Sequence, residues 1–423
     1  MQQYECSNMN TAAATAGEAA PARSLKEVWI VTIGHALTHW YPATFYILLP
    51  LIGKELGLTY TQIGLVMTCQ AIAGAVSNIP GGMIVDTVGK KALLLAISLF
   101  WIGVPYFLIG FTHNYSMLLI CVMLVGIGNN LWHPAAIPTL ASRYPGRKGL
   151  VLSIHGMGAN VGDALAPLVI GALLLTLTWR EIVIINVVPG VVMAVIILAF
   201  LGTLRITKAA SKSDFGQDDS NTQSFAVYVQ GLKRLVTDRG VNMLLIGSAF
   251  RNMTQSALLT FLPVYLAYEM GYSPWLVGVW MFALQIAGFT AAPIAGHLSD
   301  KIGPRKIVMT SLGMTGVILL AMAFAGKSHA FVLLIAVLGF FLYAVRAVLQ
   351  AWMLDSAPKN MGGTAIGVMF GVQSLGAAIA PGVGGLLADE YGLIMAFYFM
   401  AATIIIANIF VFLTPAPKQT ALS

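Results

Sequence analysis

Apolar stretches of about 20 residues, the length of a bilayer-spanning helix, recur along the whole chain. They lie near 27–51, 62–84, 92–111, 115–140, 149–175, 182–204, 241–266, 275–298, 306–325, 330–354, 364–387 and 392–413. So many runs exclude a soluble domain with a single anchor. Only 9% of the 423 residues are charged, against about 25% in soluble domains, so most of the surface has to face lipid. The sequence predicts an all-α membrane protein of twelve transmembrane helices.

Most connections between the runs are very short. The exception is the polar segment 205–240, with six runs on either side of it. The expected organisation is a tail over 1–25, a six-helix bundle over 26–204, a central loop over 205–240, a second bundle over 241–414 and a tail over 415–423. The first 25 residues are polar and Ala-rich without an apolar core, so they read as a disordered tail and neither a signal peptide nor a span. The net charge of +7 does not point to nucleic acid. Its basic residues gather beside run ends: Lys90 and Lys91, Arg143, Arg147 and Lys148, Arg205 and Lys208, and Lys301, Arg305 and Lys306. The opposite loops hold chiefly Lys54, Arg180 and Lys327. This asymmetry predicts cytoplasmic termini and a cytoplasmic central loop. Cys6, Cys69 and Cys121 have neither metal spacing nor a disulfide framework. No cofactor is called for.

The two halves repeat. The segment Gly82–Lys91 (GMIVDTVGKK) returns as Gly296–Lys306 (GHLSDKIGPRK), and an offset of 214 residues carries Asp86 onto Asp300. That offset also carries Glu55 onto Glu269, Gly57 onto Gly271, Gly64 onto Gly278, Gly162 onto Gly376, Pro167 onto Pro381 and Gly171 onto Gly385. Two parallel six-helix repeats around an axis along the membrane normal place a binding site at their interface.

The loop Gly-x-x-x-Asp-x-x-Gly-x-Lys/Arg after runs 2 and 8 resembles the signature loop of the major facilitator superfamily. The first copy has Thr87 where a basic residue is usual; the second has Lys301. The resemblance implies a gating role for Asp86, Gly89, Lys90, Asp300, Gly303 and Arg305, which would latch the cytoplasmic ends of the halves in an outward-open state. Run 5 holds Gly158, Gly162, Asp163 and Pro167 in a Gly/Pro-rich pattern resembling the fifth-helix motif of superfamily antiporters, with Ala166 in place of the motif's Gly before Pro. Gly158, Gly162 and Pro167 are therefore gating candidates too, although small residues four apart equally serve close helix packing. Within the superfamily, the segment from Gly126 to Pro134 followed by Gly158, Asn160 and Gly162 looks most like the fosmidomycin-resistance type of efflux protein.

Ionisable groups inside a membrane are costly and rare, so each is a candidate for function. Arg251 lies inside run 7 with Gln255 one turn on; Arg346 lies inside run 10, flanked by Tyr343 and Gln350. Both arginines sit about 12–15 Å from the cytoplasmic end at the helical rise. The offset places Arg346 level with Trp132, next to His133, which shares a face with Asn129. Arg251, Arg346, Gln255, Tyr343, His133, Asn129 and Gln350 form the candidate solute site, an anion clamp built on guanidinium. Asp163 is the only acidic residue deep in a run, and His35 and His39 share a face of run 1. These three are the proton-coupling candidates, with His155 a further titratable group on run 5. His35 and His39 also have metal-ligand spacing, and His133 or Asp163 could complete a set. No Glu or Cys accompanies them, so a metal-ion transporter is a lesser alternative.

The expected function is secondary active transport of a small organic solute by alternating access. No Gly-x-x-x-x-Gly-Lys-Ser/Thr loop is present for ATP coupling, and no clustered catalytic set suggests an enzyme. The resemblance favours proton-coupled efflux of a drug-like or anionic solute from a monomer in a bacterial inner (plasma) membrane. The alternatives are uptake of an organic anion and a transporter-like sensor. The nitrate/nitrite porter branch uses arginines in runs 2 and 8, and neither run has one.

Overall fold

The computed structural model describes residues 25–88, 90–144, 147–201, 233, 235, 237–357 and 362–415. The 1–24 tail, most of the central loop, the C-terminal tail and Gly89 lie outside the described residues, as do the side chains of Asp86 and Asn129.

Every regular element among the described residues is a helix. The first half runs α1 (Lys26–Glu55), α2 (Tyr60–Val88), α3 (Lys91–Ile109), α4 (Tyr115–Asn130), α5 (Trp132–Arg143), α6 (Lys148–Leu173), α7 (Trp179–Ile185) and α8 (Val187–Leu201). The second runs α9 (Arg239–Tyr268), α10 (Pro274–Ile302), α11 (Pro304–Ala325), α12 (His329–Ser356), α13 (Gly362–Tyr391) and α14 (Met395–Leu413). Two expected spans are each broken into two helices, α4/α5 at Leu131 and α7/α8 at Asn186. Pro134 and Pro189 cannot donate to the carbonyls of Asn130 and Ile185, which loosens the helix just before each ring. At Asn186 the side-chain amide also accepts from Trp40 Nε1 at 2.8 Å and the carbonyl from Tyr41 Oη at 2.8 Å. Paired in this way, the fourteen helices make twelve spans.

Nine spans among the described residues are long and apolar enough to cross a membrane. The other three, α1, α2 and α9, have ample length at 30, 29 and 30 residues; α2 runs over residues outside the described set, and α1 and α9 are more polar. His35 and His39 lie on α1 and Arg251 on α9, while Asp163 and Arg346 lie on two of the nine, α6 and α12. The outer helices show the opposite pattern. Phe100 and Val104 of α3, Val192 and Val195 of α8, Val317 and Phe324 of α11, and Ile405 and Ile409 of α14 are all exposed, as a lipid-facing surface requires.

The halves meet along α1/α9, α2/α13 and α6/α10. The last two pairs are exchanged by the 214-residue offset, and the glycines that mark the repeat are their contact points. A Cβ on Gly64 would overlap the carbonyl of Pro381, and one on Gly278 would overlap that of Pro167. Gly385 likewise abuts Tyr60, and Gly171 abuts Pro274. Each pair is the image of the other, so one backbone-to-backbone seal is built twice. The turns beside it also match: Gly57 and Gly271 sit at φ 62° and 66°, the left-handed conformation that ends a helix at little cost only with glycine.

Polar contacts reinforce the seal at this end. Tyr268 Oη donates to the Pro50 carbonyl at 2.7 Å, and Thr68 donates to the Ala378 carbonyl at 2.6 Å. The Asp389 carboxylate accepts from the amides of Tyr60 and Thr61, both at 2.8 Å. An acid of the second half thus caps the first turn of a helix in the first half. At the opposite end the described contacts stay within one half, as where Arg143 pairs with Glu27 at 2.8 Å and Arg305 donates to the Phe412 carbonyl.

Burial pushes the Asp389 carboxyl up, but the bonds from Thr61, Tyr60 and Thr59 outweigh it and hold the group below its ordinary 3.8. The sealed state therefore gains stability above the ordinary carboxylate range and loses it as pH falls through the depressed value. Around neutral pH the latch is fully ionised. Asp389→Asn removes the charge there, and for so solvated a group it should cost on the order of 1 kcal/mol. The fraction open at this end should rise about fivefold, read by spin-label distances across it.

Candidate functional site

The candidate anion site lies on α9 and α12. Arg251 is 3% exposed. Its guanidinium donates to Gln255 Oε1 at 2.5 Å and to the Leu342 carbonyl at 2.8 Å, which fixes its plane. It sits 5.9 Å from the centre of the Tyr343 ring. Arg251 Nε and Tyr343 Oη are buried without a hydrogen-bond partner. Arg346 follows Tyr343 by one turn and is exposed. The two guanidiniums interact electrostatically. Among the described residues no carboxylate lies within ion-pair distance of either. Gln350 is half-buried one turn beyond Arg346, and no contact joins it to the arginines.

The first half faces this pair with histidine and one acid. His39 Nδ1 lies 3.0 Å from Asp163 Oδ2. His35 stacks on His155, ring centres 4.0 Å apart, and stands 5.0 Å from both His39 and His133. His133 lies in electrostatic reach of Arg346, and Tyr343 in reach of Asp163, Arg251, Arg346 and Tyr46. His133 is exposed. Candidates from both halves thus converge on one interior region, where an anion could neutralise the guanidiniums and a proton could reside on the His39–Asp163 pair.

Other candidates lie elsewhere. Gly158 and Gly162, expected to gate, pack within their own half. A Cβ on either would overlap the carbonyl of Thr32 or of Ala36 on α1, so they let α6 approach α1. Pro167 of the same motif reaches the other half, through its carbonyl against Gly278. Asp300 and Lys90 are exposed, and Gly303 forms the turn between α10 and α11 at φ 91°. Arg305 is engaged with Phe412 of its own half, the ring centre 5.6 Å away. The Asp86 side chain and Gly89 of the first signature loop lie outside the described residues, while the opposite end is sealed.

Sequence reasoning missed Asp389 and Tyr268. Both act through backbone atoms of the other half, and a carbonyl acceptor or an amide donor leaves no mark in the sequence. A partial signal existed for Asp389, an acid just beyond an apolar run.

A two-half bundle of twelve spans with an inward-facing polar cluster defines a membrane transporter. The family model described as Major Facilitator Superfamily matches residues 28–292 and 244–423, and the chain belongs to that family. It is 27% identical over 361 residues to "Probable sulfoacetate transporter SauU" of Cupriavidus necator, covering 81% of this chain and 82% of the relative. It is 23% identical to the Fosmidomycin resistance protein of Escherichia coli, covering 85% and 86%. Among solved structures, a bacterial homolog of the human lysosomal transporter Spinster superposes with a TM-score of 0.78 at 18% identity, covering 92% of this chain and 96% of that one.

Proposed function

We propose that this chain is a proton-coupled carrier of a small organic anion, working by alternating access as a monomer in a bacterial inner membrane. The observation that carries the reading is the pair of guanidiniums, Arg251 and Arg346, inside the bundle with no carboxylate partner among the described residues. A buried Arg251 with the like charge of Arg346 acting on it costs free energy until an anion neutralises the two. Guanidinium suits planar or tetrahedral oxyanions. Sulfoacetate, in the name of one relative, carries a carboxylate and a sulfonate; fosmidomycin, in the other, carries a phosphonate. Gln255 and Tyr343 supply neutral polar contacts beside the arginines.

With cytoplasmic termini, as the loop charges indicate, the end sealed by Gly64, Gly278 and Asp389 is extracytoplasmic and this conformation faces inward. The proton rides on His39–Asp163, in the same interior space as the guanidiniums. A proton bound there adds positive charge and strengthens anion binding, so the geometry favours moving both in one direction. Export in exchange for protons is the second reading, favoured by the likeness to the fosmidomycin resistance protein.

Flux into proteoliposomes loaded with a pH-sensitive dye separates the two. Sulfoacetate or fosmidomycin is added outside at symmetric pH. Cotransport acidifies the lumen, exchange alkalinises it, and anion uptake with no pH change removes the proton from the reading. Failure of every small organic anion tried to bind would remove the anion.

A further inference from the structure

The histidines are arranged for more than holding a proton. His35 Nδ1 lies 2.7 Å from the carbonyl of His155. A carbonyl only accepts, so Nδ1 carries the hydrogen and Nε2 keeps its lone pair. That Nε2 is buried and has no hydrogen-bond partner. His39 repeats the arrangement with Asp163, whose Oδ2 lies 3.0 Å from Nδ1; with Nδ1 turned to that oxygen, the far nitrogen is the one free to bind a metal. An imidazole whose second nitrogen is held by a carbonyl or a carboxylate is the usual form of a histidine metal ligand. His133 supplies a third ring, and one ring nitrogen from each of His35, His39 and His133 lies within 4.8 Å of the others.

We infer that His35, His39 and His133 form a site for a divalent transition-metal ion of the zinc class, with Asp163 and the His155 carbonyl orienting the ligands. Metal–nitrogen bonds of about 2.0–2.1 Å in a tetrahedron place ligand atoms about 3.3 Å apart. The three rings need to close by at most about 1.5 Å on that standard, within the reach of side-chain rotations. Three neutral imidazoles select zinc, copper, nickel or cobalt over magnesium or calcium, which prefer oxygen. Three protein ligands leave the fourth position for solvent or an exchangeable ligand. Arg346 acts on that position as an opposing charge, since it lies in electrostatic reach of His133. Metal and transported anion therefore depend on Arg346 in opposite senses.

The test uses the full-length purified protein in detergent, freed of any histidine tag, titrated with Zn²⁺ by calorimetry and with Co²⁺ by visible absorption. The expected result is one metal per chain with a tetrahedral Co²⁺ spectrum. His133→Gln and His39→Gln should each weaken binding at least tenfold, and Asp163→Asn by about 10- to 100-fold. Arg346→Gln should strengthen metal binding while weakening the anion, a crossing that separates this site from the anion reading. His133 is exposed, so its variant keeps the fold, which melting without metal verifies. Absence of saturable binding, or unchanged affinity in both the His133 and His39 variants, overturns the site and leaves the anion proposal standing.

Discussion

Arg251→Ala is expected to weaken binding of a small organic dianion by about 100-fold while leaving the melting temperature unchanged or raised. A hydrogen bond to a charged group contributes about 1.5–3 kcal/mol, and each 1.4 kcal/mol is about tenfold in affinity. Arg251 offers a fork already fixed by Gln255 and the Leu342 carbonyl, so little side-chain entropy is lost when the anion arrives. In the unloaded protein the same guanidinium is a buried cation without an ion-pair partner among the described residues, and its removal relieves a desolvation cost. A purely structural arginine would behave otherwise, because its loss would lower stability. Arg251→Lys keeps the charge without the planar fork and should lose about tenfold. Tyr343→Phe sharpens the contrast. Its hydroxyl has no partner, so the variant should melt no lower than the wild type while losing affinity several-fold if that hydroxyl meets the anion. Calorimetric titration of the three variants beside their melting curves reads all of this, and wild-type affinity in Arg251→Ala would sink the clamp.

The fold was legible because lipid demands long apolar runs and because the two halves share a residue offset. The interior charges were legible for the same reason: in a chain so poor in charge, Arg251, Arg346 and Asp163 stand out against their runs. What sequence could not supply was partnership across the bundle. The repeat marked Gly64, Gly171, Gly278 and Gly385, but not that they seal one helix against another from the opposite half. Gly158 and Gly162 carried the same kind of signal and serve packing on α1 instead. Spacing of small residues identifies a helix face, and the helix that comes to rest on that face is set by the tertiary arrangement. Proton candidates His35 and His39 were visible at i and i+4, whereas the stacking of His155 on His35 joins positions 120 residues apart. The proline-linked breaks at Leu131 and Asn186 were hidden inside runs whose hydropathy is continuous.

This difference between the two kinds of glycine leads to the largest conformational effect. Gly64→Val is expected to fold but to be unable to close the end sealed by α2 and α13. The obstacle is the carbonyl oxygen of Pro381, which is main chain, so no side-chain truncation on α13 relieves it. Overpacking of this kind costs about 1–3 kcal/mol where a core can adjust, and at a rigid backbone contact the cheaper response is to part the halves. A cost above about 3 kcal/mol lowers the sealed fraction more than 100-fold. Gly278→Val should act alike, since Gly278 meets the Pro167 carbonyl in the mirror-image contact. Gly162→Val should differ in kind. Its collision with Ala36 lies within the first half, where α1 and α6 cannot separate without unfolding, so it should lower the melting temperature by several degrees and leave the surviving protein sealed. Spin labels at the exposed positions Lys54 and Glu390, one on each half at this end, would measure the outcome. Gly64→Val and Gly278→Val should replace the short distance with a long one, and transport should stop although anion binding persists. An unchanged distance in both variants would mean that the two glycine seals do not hold the halves together, and the gate would have to be sought elsewhere in the bundle.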